Sequence, residues 1–329
     1  MKSLLLALLL PLAATASDIP PTPLFSIRLP KRDSLKFIVA GDAGTGDPHL
    51  HNGIAALIKE KPIDGILLVG DNVYPCGVES ISDPQWAKVD VNFADLGVPI
   101  YPVLGNHDYG DPTRHGDTFT ICDHPDPEAQ VRATGTVPHW TFPARTYRLA
   151  SPLVDIFMID TQPFASDWTQ PFLGSETAAS EAELVRSALL RSESHWRIVA
   201  GHHTIYSSGI RGRSVRTEEK NMRSLLLPLL TENRVSLYIC GHDHDAELMG
   251  SLKREAGEPV FLISGNGAAS TEMEARTDTN EPPTIFPKAF PPPPLIGFTL
   301  LEIDRHSITV TFYDGTGTRK SDRYVIADK

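Results

Sequence analysis

Cysteine is scarce. Three residues, Cys76, Cys122 and Cys240, occur in 329, so no disulfide framework can replace a hydrophobic core and one thiol must remain over. Long apolar runs are scarce too. The stretch at residues 4–12 is too short to span a bilayer, and no later one is longer. Positive charge is also in deficit: 30 Lys and Arg against 41 Asp and Glu leave a formal charge of -11. That balance offers no broad basic surface and argues against a nucleic-acid binder. It does not exclude a phosphate substrate, because bound cations can reverse the local potential. No internal repeat or composition shift divides the chain. What is present, 41% hydrophobic and 22% charged residues, suits a globular protein with a large core.

Residues 1–16 read as a secretory signal, with Lys2 as the positive start and Ala14-Thr15-Ala16 as the cleavage site. The expected product is secreted or periplasmic, with no membrane segment after signal removal. Residues 17–34, with Pro20, Pro21, Pro23 and Pro30, form an extended leader, and residues 35–329 are left as the folded domain. In an oxidising compartment Cys76 and Cys122 can pair, both lying in loop-like sequence. Cys240 closes an apolar run and reads as an inert core thiol.

Apolar runs at 35–40, 66–69, 100–104, 145–149, 153–160, 197–200, 236–240, 260–263, 297–303 and 306–313 are expected as strands. Pro102 marks a bulge or an edge. Helices are expected from Pro48 to Pro62, over 83–93 with Asp83 as N-cap, from a capping box at Ser180, and over 218–230 with a kink at Pro228. Strand–helix–strand order at the start implies a parallel sheet and an α/β fold. Residues 109–144 have no sustained period and read as a long loop system. Residues 281–294, with seven prolines, read as a surface loop.

One device recurs five times: an apolar strand, a glycine, then a side chain able to bind metal. Those side chains are Asp42, Asp71, Asn106, His202, and His242 with His244. Ligands gather at the carboxyl ends of parallel strands, so five such exits on one sheet edge would converge. Two carboxylates, one amide oxygen and three imidazoles exceed a single tetrahedral site and suit two metals. Asp71 has two oxygens and can bridge them.

Gly41-Asp42-Ala43-Gly44, Gly70-Asp71-Asn72-Val73-Tyr74, Gly105-Asn106-His107-Asp108, Gly201-His202 and Gly241-His242-Asp243-His244 resemble the motif set of the purple acid phosphatases. The small, single-domain tartrate-resistant type is most similar. The resemblance runs from residue 37 to 244 and implies a two-sheet β-sandwich flanked by helices, the αββα calcineurin-like metallophosphoesterase fold. Broader metallophosphoesterases carry a histidine where Gly44 stands and an aspartate where Tyr74 stands. A phenolate is a hard anionic ligand and suits Fe(III). By resemblance, Asp42, Asp71, Tyr74 and His244 would hold the ferric ion. Asp71, Asn106, His202 and His242 would hold a divalent ion, Fe, Zn or Mn.

The resemblance further implies hydrolysis of phosphate monoesters by attack of a metal-activated hydroxide, with a small phosphorylated substrate and an acidic to neutral optimum. Roughly +5 from the metals against about -3 from Asp42, Asp71 and ionised Tyr74 attracts a phosphate dianion. His107 resembles the family residue that contacts phosphate and assists the leaving group, and Asp108 can orient it. The family carries an acidic group where Ile210 stands here, so the proton donor is open. His203, Arg211 and Arg213 are nearby candidates for contacting substrate. The other histidines read as surface or structural, Trp140, Trp168 and Phe172 as packing, and Asn266 as a turn residue or a donor to a ligand. Two rivals stand beside this reading: a phosphodiesterase or nucleotide hydrolase on the same centre, and a phosphate- or metal-binding protein without catalysis. His107 counts against the second. Oligomeric state stays open.

Overall fold

Alternation along the apolar strands decides which layer each side chain joins. In the strand Val154–Met158, Val154, Ile156 and Met158 enter one hydrophobic cluster while Phe157 enters another. The same split runs through the next three strands. Trp196, Ile198 and Ala200 oppose Val199, Leu237 and Ile239 oppose Tyr238, and Val260 and Leu262 oppose Phe261. Successive side chains of a strand point to opposite faces, so a sheet apolar on both faces must be covered on both. One face meets a second sheet and the other meets helices.

The computed structural model describes residues 24–110, 113–115, 118–120, 122, 124–165, 177–209, 217–254, 257–268, 282–286 and 296–328. Within them the chain starts with β1 (Phe25–Arg28), β2 (Ser34–Ala40), β3 (Gly65–Val69) and β4 (Ile100–Val103). It continues through β5 (Thr113–His115), β6 (Thr118–Thr120), β7 (Tyr147–Ala150), β8 (Val154–Met158), β9 (Trp196–Ala200) and β10 (Leu237–Cys240). Then come β11 (Ala246–Met249), β12 (Lys253–Arg254), β13 (Val260–Ser264), β14 (Thr284–Phe286), β15 (Gly297–Asp304), β16 (Ile308–Asp314) and β17 (Tyr324–Asp328). Helices are α1 (Pro48–Glu60), α2 (Ala87–Phe93), α3 (Pro127–Arg132), α4 (Gln162–Ala165), α5 (Ala178–Leu190), α6 (Thr217–Leu225) and α7 (Leu227–Glu232).

Among the described residues one sheet runs β12-β17-β16-β15-β2-β3-β4 and the other β1-β7-β8-β9-β10-β13-β11-β14. Strands β2, β3 and β4 are parallel, as are β8, β9, β10 and β13. Leu50, Ile54 and Leu57 of α1 and Val89 and Phe93 of α2 join the large cluster that also holds the first sheet and the inner face of the second. Val185 and Leu189 of α5, Met222 of α6 and Leu229 and Leu230 of α7 close the outer face of the second sheet. This is the two-sheet sandwich flanked by helices that the family resemblance implied. The five exits therefore do not share one edge. Three leave the first sheet and two leave the second, because each sheet is built from its own run of parallel strands. Ser264 joins the two at that end, its hydroxyl donating to the Val39 carbonyl at 3.1 Å.

Several local expectations are corrected. The box that opens α5 lies one turn earlier than Ser180. Thr177 is the N-cap and Ser180 the third helical residue, each side chain accepting the other's N–H at 2.8 and 3.1 Å. The 83–93 segment opens with a 3-10 turn, Pro84–Trp86, before α2. The 218–230 segment is two helices, since Pro228 lacks the N–H that would carry one through. Residues 109–144 hold the β5–β6 pair and α3, the latter started by Asp126 and Pro127. Within the proline-rich 281–294 segment, Thr284–Phe286 forms an edge strand on β11, where flanking prolines without N–H groups are tolerated. Pro102 sits on β4, likewise an edge strand. Cys76 and Cys122 form a disulfide with their Cα atoms 5.5 Å apart, and Cys240 is a buried free thiol. Burial pushes that thiol well above its ordinary range, which keeps it inert. Among the described residues no helix is long and apolar enough to cross a membrane. The signal at 1–16 and the first part of the leader lie outside the described residues.

Candidate metal centre

Three of the five strand exits hold their ligand by an unusual backbone. Asp42, Asp71 and His242 have φ of 56°, 53° and 68°, the left-handed region that side chains other than Gly, Asn and Asp seldom enter. Such strain clusters where a site needs it. The neighbouring glycines supply room as well as turns. Gly70 has φ 87°, and a Cβ there would lie 2.5 Å from the His202 Nδ1. Gly44 explains the Tyr74 substitution physically: a Cβ would stand 2.5 Å from the Tyr74 backbone N and 2.8 Å from the Asp71 carbonyl. Tyr74 N–H donates to the Gly44 carbonyl at 3.0 Å. With the tyrosine loop seated there, no larger side chain fits at position 44. Two residues of α2 steady these loops, Lys88 Nζ donating to the Tyr74 carbonyl at 2.5 Å and Asn92 Nδ2 to the Ala43 carbonyl at 2.7 Å.

The donor atoms fall into two groups. In the first, the Tyr74 hydroxyl lies 3.1 Å from Asp42 Oδ1, 2.9 Å from Asp71 Oδ2 and 3.0 Å from His244 Nε2. In the second, Asn106 Oδ1 lies 3.0 Å from both His202 Nε2 and His242 Nδ1, which are 3.1 Å from each other. Asp71 serves both groups, with its Oδ1 3.4 Å from His202 Nε2. Asp42, Asp71 and His202 have donor atoms all within 4.8 Å of one another.

These distances fit metal ions. Donors held at roughly 2.0–2.2 Å from one ion lie about 3.0–3.5 Å apart in tetrahedral or octahedral arrangement. The tautomers agree. His202 Nδ1–H donates to the Val69 carbonyl at 2.9 Å, so its Nε2 turns a lone pair towards the group. His242 meets the Glu218 carboxylate at Nε2, 3.4 Å away, so Nδ1 does the same. Two facing lone pairs and an amide oxygen repel one another unless a cation lies between them.

Burial works to raise the Asp71 carboxyl, but the imidazoles of His202 and His107, the His107 N–H and the Tyr74 hydroxyl bring it down to about 2. Burial, followed by the charges of Asp42 and Asp71, holds the Tyr74 phenol well above its ordinary range. Only a strongly charged cation would displace that proton.

Residues 35–246 match the calcineurin-like phosphoesterase family. Purple acid phosphatase 4 of Arabidopsis thaliana is 30% identical over 305 residues, covering 86% of this chain and 81% of its own length. The chain belongs to the purple acid phosphatases. Tartrate-resistant acid phosphatase type 5 of Sus scrofa is 28% identical over 260 residues, 71% of this chain and 69% of its own length. Among solved structures, GAP50, the anchor in the inner membrane complex of Plasmodium, shares the fold with a TM-score of 0.69 at 22% identity, covering 91% of this chain and 90% of its own. Family membership makes this chain a metal-dependent phosphoesterase, and it implies a dinuclear centre for which the two donor groups supply candidate ligands.

In this purple acid phosphatase the structure brings together Asp42, Asp71, Tyr74, Asn106, His202, His242 and His244. His107 stands beside them. Its Nδ1–H donates to the Pro75 carbonyl at 2.7 Å, its Nε2 lies 3.9 Å from Asp71 Oδ2, and its ring meets Tyr74 edge-on at 4.6 Å. Asp108 turns to the loop amides. Its carboxylate accepts the N–H groups of Asn72, Val73 and Gly105 and the amide of Gln130, stapling two metal-binding loops together. Burial, aided by the Asp71 charge, raises it to about 6. His203 is buried, with Nδ1 2.8 Å from the Thr161 hydroxyl and its ring 4.7 Å from that of His242. Burial and the neighbouring imidazoles hold it well below its ordinary range, so it braces the ligands as a neutral ring. Ile210, Arg211, Arg213, Trp168 and Phe172 lie outside the described residues. Trp140 packs as expected, and the carbonyl of the buried Asn266 accepts the Gly297 N–H at 2.9 Å, tying its loop to β15.

Two supporting residues escaped the sequence reading. Gln130 sits on α3, inside the stretch that reads as loop, and joins Asn72 to Asp108 at 2.9 and 2.8 Å. Glu218 opens α6, where a charge in a first helical turn looks like ordinary dipole compensation. No spacing rule separates either from its surroundings.

Proposed function

We propose that this phosphatase hydrolyses phosphate monoesters at an Fe(III)–M(II) centre, M being Fe, Zn or Mn. The observation that carries the reading is the Tyr74 hydroxyl within 3.1 Å of Asp42, Asp71 and His244 donors. A phenol placed there is a ligand for a hard trivalent ion. When bound, such a metal pair supplies positive charge for a phosphate dianion and makes a water acidic enough to attack phosphorus. Asp42, Tyr74 and His244 would hold the first ion, Asn106, His202 and His242 the second, and Asp71 both.

The protein's own contribution to the leaving group is His107. With Nδ1–H committed to Pro75, Nε2 carries a proton only in the imidazolium form. In that form the ring can contact phosphate oxygen and protonate the departing alkoxide. The Cys76–Cys122 disulfide supports an exported protein, since disulfides persist in oxidising compartments.

Metal analysis coupled to parallel assays on monoester, diester and nucleotide substrates tests the reading, with His107→Ala beside wild type. Two metals per chain, a visible phenolate-to-iron band, a monoester preference and a fall in kcat of about 10²–10⁴-fold in His107→Ala are expected. Colourless oxidised protein would overturn the ferric assignment, and a diester preference would overturn the substrate class.

A further inference from the structure

Two other imidazoles of the site face backbone carbonyls: His202 meets Val69, and His107 meets Pro75. His242 differs. Its outer nitrogen, Nε2, faces the Glu218 carboxylate at 3.4 Å, while Nδ1 points to Asn106 and His202. Its backbone is fixed independently, because His242 N–H donates to Asp42 Oδ2 at 2.9 Å. Glu218 is itself anchored. It lies in the first turn of α6, which is held by Met222 in the outer hydrophobic cluster. Arg223 Nε donates to the Ile205 carbonyl at 2.9 Å, and its guanidinium stacks 4.5 Å over the Tyr206 ring. The helix is thereby tied to the segment that follows His202.

The consequence lies in charge. The donors Asn106, His202 and His242 are all neutral, and this half of the centre has negative charge of its own only through the shared Asp71. A carboxylate on the outer imidazole nitrogen fixes the tautomer and makes the inner nitrogen a stronger donor. We infer that Glu218 is a positioning residue for His242, setting the affinity of the Asn106–His202–His242 half for its metal without touching the Tyr74 half. The inference rests on the proposed two-metal function and deepens it.

The test uses full-length protein loaded with iron and zinc, comparing wild type, Glu218→Ala and Glu218→Gln, with Lys220→Ala as a control on the exposed face of α6. Retained metal is measured after dialysis against graded chelator, together with the visible phenolate band. Glu218→Ala should release one metal equivalent at about 10–100-fold lower chelator than wild type, keeping the other equivalent and the band. Glu218→Gln, which keeps an acceptor but no charge, should fall between them, and Lys220→Ala should match wild type. Release of both metals at wild-type chelator concentrations in both Glu218 variants overturns the inference and leaves the function standing. Loss of both metals together with the band also overturns it, because the effect would then be structural. Should Glu218→Ala fail to fold, the near-isosteric Gln variant decides alone. A wild type that takes up no metal overturns both readings.

Discussion

The two halves of the centre are built from the same device and differ in almost everything else. Asp42, Tyr74 and His244 offer two acidic oxygens and one imidazole, and the His244 side chain is 33% exposed. Asn106, His202 and His242 offer only neutral donors and are sealed at 4%, 0% and 3% exposure. The first half brings a carboxylate of its own, Asp42, beside the shared Asp71. The second receives its charge second-hand, from the Asp71 oxygen it shares and from Glu218 one ring away. The halves are nonetheless joined beyond Asp71, because His242 and His244 leave the same strand, one to each half, and His242 N–H donates to Asp42 Oδ2 at 2.9 Å.

Substitution at that shared residue should break the comparison most completely. Asp71→Asn keeps the shape but removes the charge common to both halves. Both metals should be lost from purified protein, and kcat/KM should fall by on the order of 10³-fold or more, about 4 kcal/mol of transition-state stabilisation. Metal content and steady-state kinetics on one sample would show it. Full turnover in this variant would place the active site elsewhere.

A matched pair sharpens the contrast. Tyr74→Phe should abolish the visible band while a divalent ion is still retained by His202 and His242. His202→Ala should do the reverse, keeping the band and losing the other ion. Absorption spectra and elemental analysis distinguish them, and identical losses in the two variants would mean that the halves are not separable. Activity should drop in each by about 10²–10³-fold.

The smallest effect comes from outside the centre. Asp314, on a strand two places from β2, accepts Lys320 Nζ at 2.6 Å and the N–H groups of Thr316 and Thr318. Burial opposes its ionisation, but those donors bring the carboxyl below its ordinary value of 3.8. A depressed folded value means that the group stabilises the fold fully above the unfolded value and ceases to do so as pH falls through the folded one. The urea midpoint of Asp314→Asn should thus lie below that of wild type near neutral pH. The gap should close as pH falls below 3.8, with metal content of both halves unchanged. A gap that widened in acid would show the sign to be wrong.

Much of this is legible in the sequence. Strands such as Ser34–Ala40 and Leu237–Cys240 are short apolar runs closed by glycine, and α1 announces itself through Pro48 and an apolar face. Strands β11 and β17 were not legible, because Ala246–Met249 and Tyr324–Asp328 carry too little periodicity and owe their extension to the strands beside them. Gln130 was hidden for a related reason. Its short helix gains meaning only through contacts with Asn72 and Asp108, distant in sequence. The bonds that Asp108 accepts from the Asn72, Val73 and Gly105 amides were likewise hidden, because two of those residues lie more than thirty positions away in sequence.

Sequence alone determined the inventory: which residues can bind metal, which glycines precede them, and that Tyr74 stands where other chains carry aspartate. Those properties are chemical and local, so a one-dimensional pattern preserves them. Tertiary structure decided the grouping. Asp71 became the shared residue, Gly44 yielded its space to the tyrosine loop, and Glu218 came to face His242, because two separately built sheets pack with their strand ends together. Distances between residues as far apart as Asp42 and His242 are products of that packing, and no spacing along the chain encodes them.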